Sequence, residues 1–175
     1  GKEMALLEIY TYPEQILREK STPIEEVDRQ CRKLIDDMAE TMYDAPGIGL
    51  AANQVGQASR IVVIDLQRRD EEDDSGLIVM VNPRIISAQG SITFEEGCLS
   101  VPDYYAKVKR AEEVVVQAID VNGKPFEMEA SGFLAVVIQH ELDHLEGRLF
   151  VDKLGPIAKD IFRRKWKKRQ KEETA

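Results

Sequence analysis

The 175-residue sequence predicts an α+β fold in which mixed, mainly antiparallel strands pack around a buried central helix, with a further helix at the C-terminal end. Three observations predict it. Short β-type runs fill the middle of the chain, while helical patterns lie towards its ends. The hairpin signal Asn122-Gly123 joins two of these runs directly, which makes them antiparallel neighbours. The segment Phe133-Leu134-Ala135-Val136-Val137-Ile138 is apolar nearly all round, and such a helix is stable only where every face is covered.

Met4 is followed at once by patterned sequence, so Gly1 to Glu3 read as a vector remnant and one domain is expected over 4–175. Thr22-Pro23-Ile24-Glu25 has the form of a capping box with proline at the first helical position. Val27, Cys31, Leu34, Ile35, Met38 and Met42 then recur at helical spacing, predicting a first helix that ends near Tyr43. A glycine-rich turn follows, from Pro46 to Gly56. Strands are predicted at 60–65, 77–81, 91–94, 106–109, 114–120 and 124–129, with the acidic stretch Asp70 to Asp74 as a solvated loop. Ser131 stands as the N-cap of the central helix and Gly147 where its C-terminal cap belongs. The last helix, 156–175, carries Ile157, Ile161 and Trp166 among many cations.

Hydrophobic residues make up 43 % of the chain and charged residues 32 %, the balance of a soluble globular protein. No apolar run approaches the ~20 residues that span a bilayer, and the first residues lack the apolar stretch of a signal peptide. A cytoplasmic protein without membrane contact is expected. Cys31 and Cys98 are too few for a disulfide framework. The net charge of −8 argues against a general nucleic-acid binder. Its distribution is uneven, since Lys159 to Ala175 holds eight Lys and Arg against three acids.

The strongest chemical signal is Gln139-His140-Glu141-Leu142-Asp143-His144. Histidines at i and i+4 project from one helix face and can bind one metal ion, with Glu141 beside them as general base. Two imidazoles and two carboxylates on so apolar a helix are costly to bury without such a partner. A catalytic site needs a third protein ligand and one open position. The chain has no other histidine, and the helix downstream reads Ile161-Phe162-Arg163-Arg164-Lys165, a basic face that offers no glutamate. Cys98, in the glycine-bearing turn Glu96-Gly97-Cys98-Leu99-Ser100, is favoured as the third ligand over Cys31, which lies on the apolar face of the first helix.

Three segments in order, Gly47-Ile48-Gly49-Leu50-Ala51-Ala52-Asn53-Gln54, Glu96-Gly97-Cys98-Leu99-Ser100 and Gln139-His140-Glu141-Leu142-Asp143-His144, resemble the peptide deformylase family. The resemblance covers nearly the whole chain and departs from the family only around Asp103-Tyr104-Tyr105 and in the acidic loop from Gln67 to Gly76. It implies a hydrolase that removes the formyl group from the N-terminal formyl-methionine of newly made proteins. It also implies Cys98, His140 and His144 as ligands of one divalent ion, natively Fe²⁺, with Zn²⁺, Ni²⁺ or Co²⁺ able to substitute. Glu141 becomes the proton carrier, with the Gln54 side-chain amide and the Leu99 backbone N–H stabilising the oxyanion. Ile48, Gly49 and Gly97 match positions along which the family's peptide substrate runs. Val136, Val137 and His140 would line the methionine pocket, although plain core is the competing reading of the two valines. Charge type alone suggests Asp143 and Arg110 as support for the metal helix. The expected partners are N-formyl-methionyl nascent peptides and, because the family includes members whose C-terminal helix docks on the ribosome, the ribosome through the basic helix; a monomer is expected. Two other readings are a zinc endopeptidase and a metal-bearing ribosomal factor that has lost activity, the latter disfavoured by the presence of both Glu141 and Gln54.

Overall fold

The computed structural model describes residues 5–68 and 76–174. The acidic stretch from Asp70 to Asp74 and the first three residues lie outside them. Three α-helices, α1 (Arg29–Asp44), α2 (Gly132–Leu145) and α3 (Pro156–Thr174), accompany seven strands. These are β1 (Gly49–Ala51), β2 (Ile61–Ile64), β3 (Ile78–Gln89), β4 (Ile92–Cys98), β5 (Val101–Arg110), β6 (Glu113–Ile119) and β7 (Pro125–Ser131). A five-stranded sheet in the order β1-β2-β3-β6-β7 and the separate hairpin β4-β5 are antiparallel throughout. No helix among the described residues is long and apolar enough to cross a membrane.

The four residues of β2 are all buried, because the sheet is covered on both faces. Val62 and Ile64 point towards α2 and join Ala135, Ile138, Leu142 and Leu145 in one core cluster. Ile61 and Val63 point the other way, into a cluster with Cys31, Ile35, Met38 and Met42 of α1. The period-2 geometry of the strand thus divides one apolar run between two layers. A third cluster joins the β4-β5 hairpin to the C-terminal end of the chain through Val101, Val108, Phe150, Phe162 and Trp166. The central helix is therefore enclosed, as its all-round apolar pattern required.

Several local expectations change, among them the strands expected at 91–94 and 106–109, which extend to Cys98 and start at Val101 because the two pair as one long hairpin. The first helix starts at Arg29, capped by Asp28, whose carboxylate accepts the Cys31 N–H at 2.8 Å. The Thr22–Glu25 pattern does not nucleate a helix because its backbone is used elsewhere. Thr22 exchanges hydrogen bonds with Ala58 and Arg60, and both backbone groups of Ile24 pair with the Asn82 side chain at 2.7 and 2.8 Å. The glycine-rich turn contains a short strand, β1, paired with β2. Strand β3 continues past Val81 to Gln89, its pattern obscured by Pro83 and by two register shifts against β6. Ser131 occupies the N-cap position of α2 without a side-chain cap, while Gly147 has φ 74° just past that helix. There a Cβ would strike the Arg18 carbonyl, so this position requires glycine twice over.

Candidate metal centre

Strand β4 delivers Cys98 at its last position, and α2 presents His140 and His144 one turn apart. One ligand atom from each of the three residues lies within 4.8 Å of the others, and Cys98 Sγ is 3.3 Å from His144 Nε2. Both histidines are buried. Burial pulls the His144 imidazole well below the ordinary histidine value, and the neighbouring His140 charge adds to the effect. Burial also pulls on His140, but hydrogen bonds to Cys98 and Glu96 outweigh it and hold that ring well above the ordinary value.

Glu96, two residues before Cys98 on β4, sits 2.8 Å from His140 Nδ1. Its carboxylate also takes both arms of Arg110, Nε at 2.6 Å and Nη2 at 2.9 Å, while Arg110 Nη1 reaches Asp143 at 2.9 Å. Burial alone would raise the Glu96 carboxyl, yet the bonds from His140 and Arg110 lower it below the usual range. An ionised Glu96 can only accept, so His140 Nδ1 donates to it and Nε2 is the atom left to face an ion, which would displace any proton held there. The centre thus offers one thiol and two imidazoles, a borderline-soft donor set that fits a divalent transition metal.

Glu141 lies next to this cluster with its Oε1 buried and without a hydrogen-bond partner. Burial, opposed by the His140 charge and reinforced by Glu96, pushes its carboxyl up to about 7. Gly49 makes room for it, since a Cβ there would come within 2.6 Å of Glu141 Oε2. Gln54 faces the centre from the other side. Its Oε1 accepts the Ala51 N–H at 2.9 Å, which turns Nε2 inward to Ser100 Oγ at 3.0 Å and Cys98 Sγ at 3.5 Å.

These groups surround a cavity of about 680 Å³, within the range of small-molecule and peptide sites. Ile48, Gly49, Gly97, Leu99, Val136 and Val137 line it, together with Gln54, Cys98, His140 and Glu141. His144 lies behind that surface at 1 % exposure. Cys31 is remote from it in the α1 core, where burial raises its thiol and the Asp28 charge raises it further. The residues singled out from the sequence therefore converge on one site. Two that were not are Glu96 and Ser100, whose backbone N–H lies 3.4 Å from Cys98 Sγ. Both stand in the motif that contains Cys98. The signal available for Glu96 was an acid at a strand position whose side chain must turn inwards, away from the exposed Glu95.

A family model described as polypeptide deformylase matches residues 6–160. The peptide deformylase of Syntrophobacter fumaroxidans is 61 % identical over 172 residues, covering 98 % of this chain and all of the relative. A crystal structure of a peptide deformylase from Legionella pneumophila superposes with a TM-score of 0.86 at 46 % identity, covering 97 % of this chain and 98 % of the other. That of the enzyme from Ehrlichia chaffeensis in complex with actinonin gives a TM-score of 0.87 at 39 % identity, over 95 % and 98 %. With a match across most of its length, the chain belongs to the polypeptide deformylase family.

Proposed function

We propose that this protein removes the formyl group from the N-terminal formyl-methionine of newly synthesised polypeptides, releasing formate. The observation that carries the reading is the cluster of Cys98, His140 and His144 with the unpartnered carboxylate oxygen of Glu141 beside it, at the wall of the cavity. Cys98, His140 and His144 would hold one divalent ion, Fe²⁺ in the native enzyme, which when bound polarises the formyl group and acidifies water.

The chain's own groups do the rest. Glu141 Oε1 accepts the proton of the attacking water and returns it to the amine nitrogen as the C–N bond breaks, so that formate and a free amino terminus leave. A carboxyl held at about 7 is matched to both transfers near neutral pH. Gln54 Nε2, oriented by the Ala51 N–H on its Oε1, donates to the formyl oxygen as negative charge develops there, with the Leu99 backbone N–H as the second donor. Ile48, Gly49 and Gly97 flank the peptide backbone, and Val136 and Val137 cover the methionine side chain. Residues 4–175 act as one domain, monomeric and cytoplasmic, with the exposed cations of α3 as the surface that meets the ribosome. Formate release from a formyl-methionyl tripeptide, set against cleavage of an internal peptide bond, tests the activity. Cleavage of the internal bond without formate would indicate an endopeptidase.

A further inference from the structure

We propose that Arg169, on the C-terminal helix, is a positioning residue for the rim of the substrate cavity and governs how formyl-peptides are held beyond their first residue. The inference rests on the deformylase reading and adds a role that the reacting groups do not supply.

The cavity has a buried floor and an open mouth. Val136 and Val137 at the floor are 1 % and 6 % exposed, whereas Tyr105, midway along β5, is 64 % exposed. Pro102, Asp103 and Tyr105 all line the cavity, and the Tyr105 ring lies across Gly97, where a Cβ would come within 2.5 Å of it. A peptide whose formyl group reaches Glu141 must pass this rim with its following residues.

The rim is not held by its own backbone preference. Asp103 has φ 60°, a left-handed conformation that costs a non-glycine residue about 1 kcal/mol and is tolerated best by Asp and Asn. Arg169 holds it from outside. Its Nη1 donates to the Pro102 carbonyl at 2.5 Å and its Nη2 lies 3.3 Å from the Asp103 carboxylate, so one guanidinium grips main chain and side chain of adjacent residues. Glu173 accepts from Nε at 3.1 Å, and the Trp166 ring lies 5.1 Å beneath the guanidinium carbon. Trp166 is itself fixed in the core with Val101 and Phe162. The ion pair with the exposed Asp103 contributes little alone. The planar fork, lying over a buried ring and bonded to a carbonyl, restricts the rim in a way that a lysine could not. Arg169 does not line the cavity, so its effect passes through the rim and not through the chemistry.

The test compares wild type with Arg169→Gln and Arg169→Lys, using Lys168→Gln as a neighbour of equal charge change. Formate release is measured with formyl-methionine amide and with a formyl-methionyl pentapeptide, alongside thermal melting. For the pentapeptide, Arg169→Gln should raise KM roughly 3- to 10-fold with kcat within about twofold, because uniform binding is lost and not transition-state stabilisation. The amide should show no change, Lys168→Gln should match wild type, and Arg169→Lys should recover only part of the loss. An unchanged KM for the pentapeptide, or equal losses on both substrates together with a lower Tm, would overturn the proposal. Wild type that releases no formate from either substrate would instead remove the reading on which it rests.

Discussion

The Glu96 carboxylate serves two partners at once, fixing the protonated nitrogen of His140 at 2.8 Å and closing a two-pronged pair with the buried Arg110. Exchange for the uncharged Glu96→Gln keeps the shape and removes the charge that both partners use. Metal affinity is expected to fall about 10- to 100-fold while the fold persists, the usual cost of losing the acceptor behind a ligating histidine. A competition titration against a chelator measures it, and unchanged affinity would show that His140 needs no such support. The two thiols separate just as sharply. Cys98→Ala should leave the protein unable to retain a divalent ion, whereas Cys31→Ala, a small deletion in the α1 core, should cost about 1 kcal/mol of stability with metal content unchanged. Metal analysis of the two purified variants decides between them. At this scale the sequence was highly legible, because the i,i+4 histidines declare a shared face and Gly49 and Cys98 stand in compact motifs. Glu96 escaped because its partner lies 44 residues away, and only the pairing of β4 against α2 brings the two together.

Among the elements, α3 shows most plainly what a charge count conceals. Its many cations suggest a surface helix that meets the ribosome, yet Phe162 and Trp166 are 3 % and 8 % exposed and belong to the cluster that anchors the β4-β5 hairpin. Cutting the chain after Ile161 would therefore strip two large core side chains, at about 3–5 kcal/mol each, and confuse loss of a partner with loss of the fold. A cleaner test replaces Arg163, Lys167, Lys168 and Lys171, none of which is buried, by glutamine. Co-sedimentation with ribosomes at low salt should drop markedly in this variant and fade in wild type as salt is added, while turnover of short formyl-peptides stays within about twofold. Equal sedimentation of the two forms would remove the basic helix as a contact. The amphipathic spacing of α1 and the Asn122-Gly123 hairpin were readable because each rests on local chemistry. The start of α1 and the continuation of β3 were not, since Asn82 and the strand bulges act through tertiary contacts that no local pattern encodes.

Across the whole molecule, a sheet covered on both faces leaves α2 no freedom to turn, and that rigidity keeps His140, Glu141 and His144 facing the turn that carries Cys98. The α+β class followed from the distribution of apolar patterns along the chain. The division of those patterns into three core clusters did not, because it depends on which face of each strand meets which helix. On the proposed reading, Glu141 moves the proton while Cys98, His140 and His144 hold the ion. Wild type and Glu141→Gln prepared without oxygen separate the two roles when bound metal and formate release from a formyl-methionyl tripeptide are measured on the same samples. Equal metal in both, with formate release about 10²- to 10⁴-fold slower in Glu141→Gln, is the predicted result. A variant that releases formate at the wild-type rate, or one that loses its metal along with its activity, would contradict it.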